Sequence, residues 1–129
     1  MILVDTSVWI NHLNPKDPRF SIQHSERLKT LLNDNLVLGH SMVIGELACG
    51  NLKDRKSVLT DLKNLPNASV ATDDHVLSFI EQKQLMGRGI GYIDFHLLAA
   101  TEMTRSTELW SLDGSLMDVA TELNFAYQI

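Results

Sequence analysis

The chain contains a single cysteine, Cys49, so no disulfide can close within it. Cys49 lies in an apolar stretch, where a small buried thiol is expected rather than a catalytic one. A chain without disulfide pairing suits a reducing, cytoplasmic setting. An excess of basic charge is also missing. Lys and Arg number 11 against 16 Asp and Glu, for a net charge of −5. That balance argues against non-specific duplex binding, but leaves room for an enzyme that grips a phosphate through a metal ion. No apolar run approaches the ~18 residues of a membrane span. The opening Met1-Ile2-Leu3-Val4-Asp5 has neither the basic start nor the small-residue cleavage site of a signal peptide. Internal repeats, low-complexity tracts and linkers are absent. Gly87-Arg88-Gly89 lacks the Lys-Ser/Thr of a P-loop and is no nucleotide cradle.

What is present reads as one domain spanning residues 1–129. The chain is 44% hydrophobic and 21% charged, ordinary for a globular protein of 129 residues. Short apolar runs alternate with helical patterns. Strands are expected at 2–4, 36–40, 69–71, 109–112 and 125–129. Helices are expected at 7–13, 25–33, after a Ser41 cap, at 54–64, from an Asp73 or Asp74 cap towards Met86, at 92–104 and at 115–123. Such alternation implies an α/β fold with a parallel sheet covered on both faces. Ligands in such sheets bind beyond the carboxyl ends of the strands.

Four acids are hard to place in that scheme as ordinary surface residues. Asp5 ends the run Ile2-Leu3-Val4. Glu46 is the one formally charged residue in 36–50. Asp94 lies on the apolar stripe with Ile90, Leu97, Leu98 and Thr101. Asp113 ends Leu109-Trp110-Ser111-Leu112. Burying a carboxylate costs several kcal/mol unless it is paired or bound to a metal. Each acid has a plainer reading. Asp5 and Asp113 precede helices and suit N-caps; Asp94 suits the dipole of a first turn. Glu46 is too deep in its helix to cap, and its plain reading is one exposed glutamate on a mostly buried helix. Only a shared acidic pocket for a hard divalent cation explains all four together. Thr6, Ser7 and Ser111 are candidates to orient the carboxylates, Ser111 sharing a strand face with Asp113. Asp118 fits a capping box with Ser115, with metal binding as its other reading. The five histidines show no paired metal spacing. Lys53, Arg55 and Lys56 read as a solvated helix start.

Ile2-Leu3-Val4-Asp5-Thr6-Ser7, Val43-Ile44-Gly45-Glu46-Leu47, Asp94-Phe95-His96-Leu97-Leu98-Ala99-Ala100 and Trp110-Ser111-Leu112-Asp113 resemble, in order and spacing, the four acidic motifs of PIN-domain ribonucleases. The nearest resemblance is to VapC-type toxins of toxin–antitoxin pairs, and it covers essentially the whole chain. Ser111 stands where threonine is more usual, keeping the hydroxyl; the Gly-Ser-Leu-Met after Asp113 lacks an aromatic often found there. The resemblance implies a three-layer α/β/α fold, Mg²⁺ (or Mn²⁺) held by Asp5, Asp94, Asp113 and Glu46, and cleavage of RNA. It further implies a homodimer and a cognate antitoxin. Two other functions use this kind of fold. A metal-dependent phosphatase-like hydrolase would want a second acid after Asp5, where Thr6-Ser7 stands. A non-catalytic interaction module would tolerate loss of an acid, and none is lost.

Overall fold

Strand β1, Ile2–Val4, is the middle of a parallel sheet. In the computed structural model, which describes residues 1–129, it pairs with β2 (Val37–Leu38) on one side and β3 (Glu108–Trp110) on the other. The register sets Leu3 against Leu38 and Leu109. Two single parallel bridges widen the sheet, Gly39 with Asn67 and Leu109 with Ala126. The strand expected at 69–71 therefore does not form, the nearby bridge falling at Asn67, and the one expected at 125–129 is reduced to the single bridge at Ala126. Near the first, the Ser69 N–H turns to Thr104 Oγ1 instead of continuing a ladder. At the second, pairing is confined to Leu109, which accepts from Tyr127 N–H and donates to Phe125 O.

Leu3 and Val4 point to opposite faces of β1, and each is 0% exposed. Both faces of the sheet are thus covered, and the molecule is a three-layer α/β/α domain of the PIN-like kind. Its helices are α1 (Thr6–Leu13), α2 (Ile22–Asn33), α3 (Ser41–Ala48), α4 (Arg55–Lys63), α5 (Asp73–Lys83), α6 (Tyr92–Met103) and α7 (Gly114–Glu122). Right-handed crossovers put α1 to α4 on one face and α5 to α7 on the other. The packing agrees: α1 meets α2 and α3, α3 meets α4, and α5 meets α6. A cluster of 27 buried apolar residues forms the core. From β1 the chain steps outward to β2, then returns across the sheet to β3. The switch point therefore lies between β1 and β3, where a crevice opens beyond their carboxyl ends.

Several helix starts lie earlier than the sequence suggested. His40, not Ser41, caps α3 through its Nδ1, which accepts from Met42 N–H. Thr72, not Asp73 or Asp74, caps α5. Asp113 caps α7, displacing the Ser115–Asp118 box. In each case the cap is the last residue with extended backbone, which depends on where the preceding segment leaves the sheet. Cys49 follows α3 and is exposed, not buried.

Helices α5 and α6 run in the same direction. Asp73 at the start of α5 accepts from Tyr92 Oη (2.7 Å) and lies 3.2 Å from His96 Nε2 near the start of α6. At the far ends Lys83 pairs with Glu102 at 2.9 Å. Residues 84–91 must therefore carry the chain back along α5, which is ~16 Å long at ~1.5 Å per residue. Gly87 and Gly89 in that return have φ of +74° and +79°, a region that side chains disfavour. The return delivers the first turn of α6, and with it Asp94, to the carboxyl side of the sheet.

Candidate functional site

Asp5 holds the N-cap position of α1, yet its side chain makes no capping bond. Its Oδ2 instead accepts from Ser7 Oγ at 2.8 Å and Ser111 Oγ at 2.7 Å. The two hydroxyls stand 3.2 Å apart and are fixed in turn by backbone. Leu112 N–H donates to Ser7 Oγ and Asp113 N–H to Ser111 Oγ. A buried carboxylate, two serines and the turn after β3 thus form one network. It ties β1 to β3 at the switch point.

Asp113 continues this half of the site. Its Oδ1 accepts from Leu116 N–H at 3.1 Å, the capping bond of α7. Glu46 is exposed on α3, but Thr6 Oγ1 donates to its Oε1 at 2.7 Å and turns it towards α1. Asp94 is half-buried in the first turn of α6, where Gly91 N–H reaches its Oδ2 at a long 3.3 Å.

Asp94 reports how these groups see one another. Its carboxyl is pushed up to about 6, first by burial and then by the negative charges of Asp5, Asp113 and Glu46. The Gly91 N–H works in the opposite direction and loses. Acids from β1's end, α3, α6 and β3's end therefore share one electrostatic environment. None has a cationic partner: the salt bridges join Arg19 to Asp17, Lys29 to Glu26, Lys83 to Glu102, Arg88 to Glu122 and His96 to Asp73. Each of the four acids keeps one oxygen with no protein donor.

Those free oxygens suit a hard divalent cation, which takes oxygen ligands and supplies the missing positive charge. No three His, Cys, Asp or Glu side chains stand together as a finished ligand shell. Like charges without a counterion repel one another. Thr6, Ser7 and Ser111 are part of this cluster. Asp118 is not: it is exposed on α7, and its charge acts on Arg88, not on Asp94.

Sequence reasoning passed over the loop between α1 and α2. Asn11 clamps it, donating Nδ2–H to Ser21 O (3.0 Å) and accepting Ser21 N–H on Oδ1 (2.8 Å). This holds residues 14–21, Arg19 included, beside Ser7 and Leu112. No periodicity could have shown it, because the bond pairs a helix with a loop.

A parallel α/β sandwich with four unpaired acids at its switch point defines the class, a PIN-like domain with an acidic centre. The crystal structure of FitAcB from Neisseria gonorrhoeae has the same fold, with a TM-score of 0.64, 18% identity and 94% of each chain covered. No family model matches the chain. Two curated relatives do, both Ribonuclease VapC32, from Mycobacterium tuberculosis strains CDC 1551 / Oshkosh and H37Rv. Each is 40% identical over 126 residues, covering 98% of this chain and 95% of the relative. The chain belongs to the VapC ribonuclease family, as its four acidic motifs implied.

Proposed function

We propose that this protein is a metal-dependent endoribonuclease that acts as the toxin of a toxin–antitoxin pair. The observation that carries the reading is the set of four carboxylates, from four separate elements, that share one electrostatic environment with no basic side chain paired to any of them. The 40% identity to Ribonuclease VapC32 supports the substrate class. Asp5, Asp94 and Asp113 would hold Mg²⁺ or Mn²⁺, with Glu46 completing the set. When bound, such an ion acidifies water and offsets charge on the phosphoryl oxygens. Ser7 and Ser111 fix the rotamer of Asp5. Thr6 donates to Glu46, whose carboxylate would take a proton from the attacking water. A bound cation would hold Asp94, whose carboxyl is raised to about 6, in its ionised form.

The reading extends to a homodimer and to an antitoxin that inserts a basic side chain among the four acids. An arginine satisfies paired carboxylates bidentately and replaces the charge of a metal. An interaction module alone would gain nothing from four mutually repelling charges. The direct test is cleavage of single-stranded RNA by purified protein with Mg²⁺ or Mn²⁺, against EDTA and against Asp94→Asn. Cleavage that ignores EDTA and survives Asp94→Asn would remove the assignment. For the partner, replacing each basic residue of the co-purified antitoxin's tail by alanine should restore cleavage at one position. If none matters, inhibition is steric.

A further inference from the structure

Three cavities adjoin one another around the acidic centre, and α1 forms the ridge they share. The first, about 420 Å³, includes Asp113 and Ser111. The second, about 540 Å³, includes Ser7 and shares Arg19, Asn11 and Leu112 with the first. The third, about 280 Å³, includes Glu46 and Lys53 and shares Ile10 and Asn14 with the second. They form one trough that passes Asp113 and Glu46 and crosses α1, with Ser7, a hydrogen-bond donor to Asp5, in its wall.

The charge along it is ordered. Arg19 borders the part of the trough that holds Asp113, and Lys53 the part that holds Glu46. Arg19 spends Nε and Nη2 on Asp17, leaving Nη1 free on a side chain that is 90% exposed. Lys53 is exposed and belongs to no ion pair. Between the cations the wall is apolar where it is most open: Ile10 is 47% and Leu112 38% exposed. Phe20 adds an aromatic ring on the Arg19 side. The Asn14 amide lines both the second and third cavities and makes no side-chain hydrogen bond within the protein.

We infer that this trough is the track of the RNA strand, with Arg19 and Lys53 each holding a phosphate on either side of the one that is cut. The inference rests on the ribonuclease reading and deepens it. A strand of nucleic acid offers what the trough asks for: evenly spaced negative charge for the cations, and base faces for Ile10, Leu112 and Phe20. Asn14 presents a donor and an acceptor to a base edge, and so reads sequence near the cut.

The test uses Arg19→Glu, Lys53→Glu and Asn14→Ala, with Arg105→Glu as the control. Arg105 precedes β3, at the opposite end of the sheet from the acids. Cleavage kinetics on a short single-stranded RNA are measured with Mg²⁺ over a range of salt. Binding is read by fluorescence anisotropy on the Asp94→Asn background. Each charge reversal should weaken binding about tenfold and flatten the log–log salt dependence by ~0.7 per lost phosphate contact. KM should rise with kcat little changed, and Arg105→Glu should behave as wild type. Asn14→Ala should alter the distribution of cut sites in a random-sequence RNA pool. Unchanged affinity and salt slope in either reversal overturns the two-ended track, while cleavage by the parent protein would still stand. Parent protein that neither binds nor cleaves RNA removes the ribonuclease reading, and the track with it.

Discussion

The acidic centre has two halves, built differently. The strand half, at the ends of β1 and β3, is dense with bonds. Asp5 is buried, two hydroxyls converge on one of its oxygens, and Asp113 is committed to the cap of α7. The helix half is sparse. Glu46 is exposed with one hydroxyl donor, and Asp94 has one long backbone bond and a carboxyl raised to about 6. The contrast separates two jobs. The strand half is held in position by hydrogen bonds; the helix half carries the charge that no protein group compensates.

The largest effect should come from the carboxylates themselves. Asp5→Asn, Glu46→Gln, Asp94→Asn and Asp113→Asn should each cut RNA cleavage by more than the ~10–100-fold typical of losing an outer-shell partner, with the fold intact by circular dichroism. Full activity in any two would show the site to be misassigned. Next, Mg²⁺ or Mn²⁺ should raise the melting temperature at pH 7.5. A ligand specific to the native state adds about 2.7 kcal/mol at 100 times its Kd. Because Asp94 must lose a proton near pH 6, that gain should shrink on going down to pH 5. A thermal shift independent of pH would place the cation elsewhere.

A smaller effect separates the halves directly. Ser111→Ala should destabilise the metal-free protein by about 1 kcal/mol, since it strips a bond from buried Asp5. Asp94→Asn should do the opposite above pH 6. The raised pKa of Asp94 means that the folded protein favours its protonated form. The associated stability is complete below about pH 4 and is lost as pH rises through about 6. Asparagine removes that loss, so the two proteins should melt alike near pH 4 and diverge at pH 7.5. If Ser111→Ala and Asp94→Asn shift stability in the same direction, the division of labour fails.

The sequence made the strand half legible because an acid closing a buried apolar run has few structural excuses, and Asp5 and Asp113 both do so. Glu46 was legible for a different reason, as an isolated charge too deep in a helix to cap. Asp94 was placed correctly on α6, but the route that brings it to the site was not readable. Helix α5 intervenes, and only the contacts of Asp73 and Lys83 with α6 reveal the parallel return. The strands at 69–71 and 125–129 misled because β-propensity does not say how many residues find a neighbour. Asp118 misled because a capping box is local, whereas the α7 cap is decided by where β3 ends. Arg19 and Asn14 carried no signal at all, since their neighbours are supplied by the Asn11 clamp.

The two chain termini leave the sheet at opposite ends. Met1 sits at the amino end of β1, its amino group 2.9 Å from Ser106 O. The last residues run parallel to β3 through the Ala126 bridge, so Ile129 emerges on the side of the acids. For handling the protein this is a practical asymmetry. An affinity handle joined ahead of Met1 would hang from the far end of the molecule and leave cleavage assays undisturbed. The same handle after Ile129, especially a histidine tract, would bring metal-chelating groups to the face that carries the four acids.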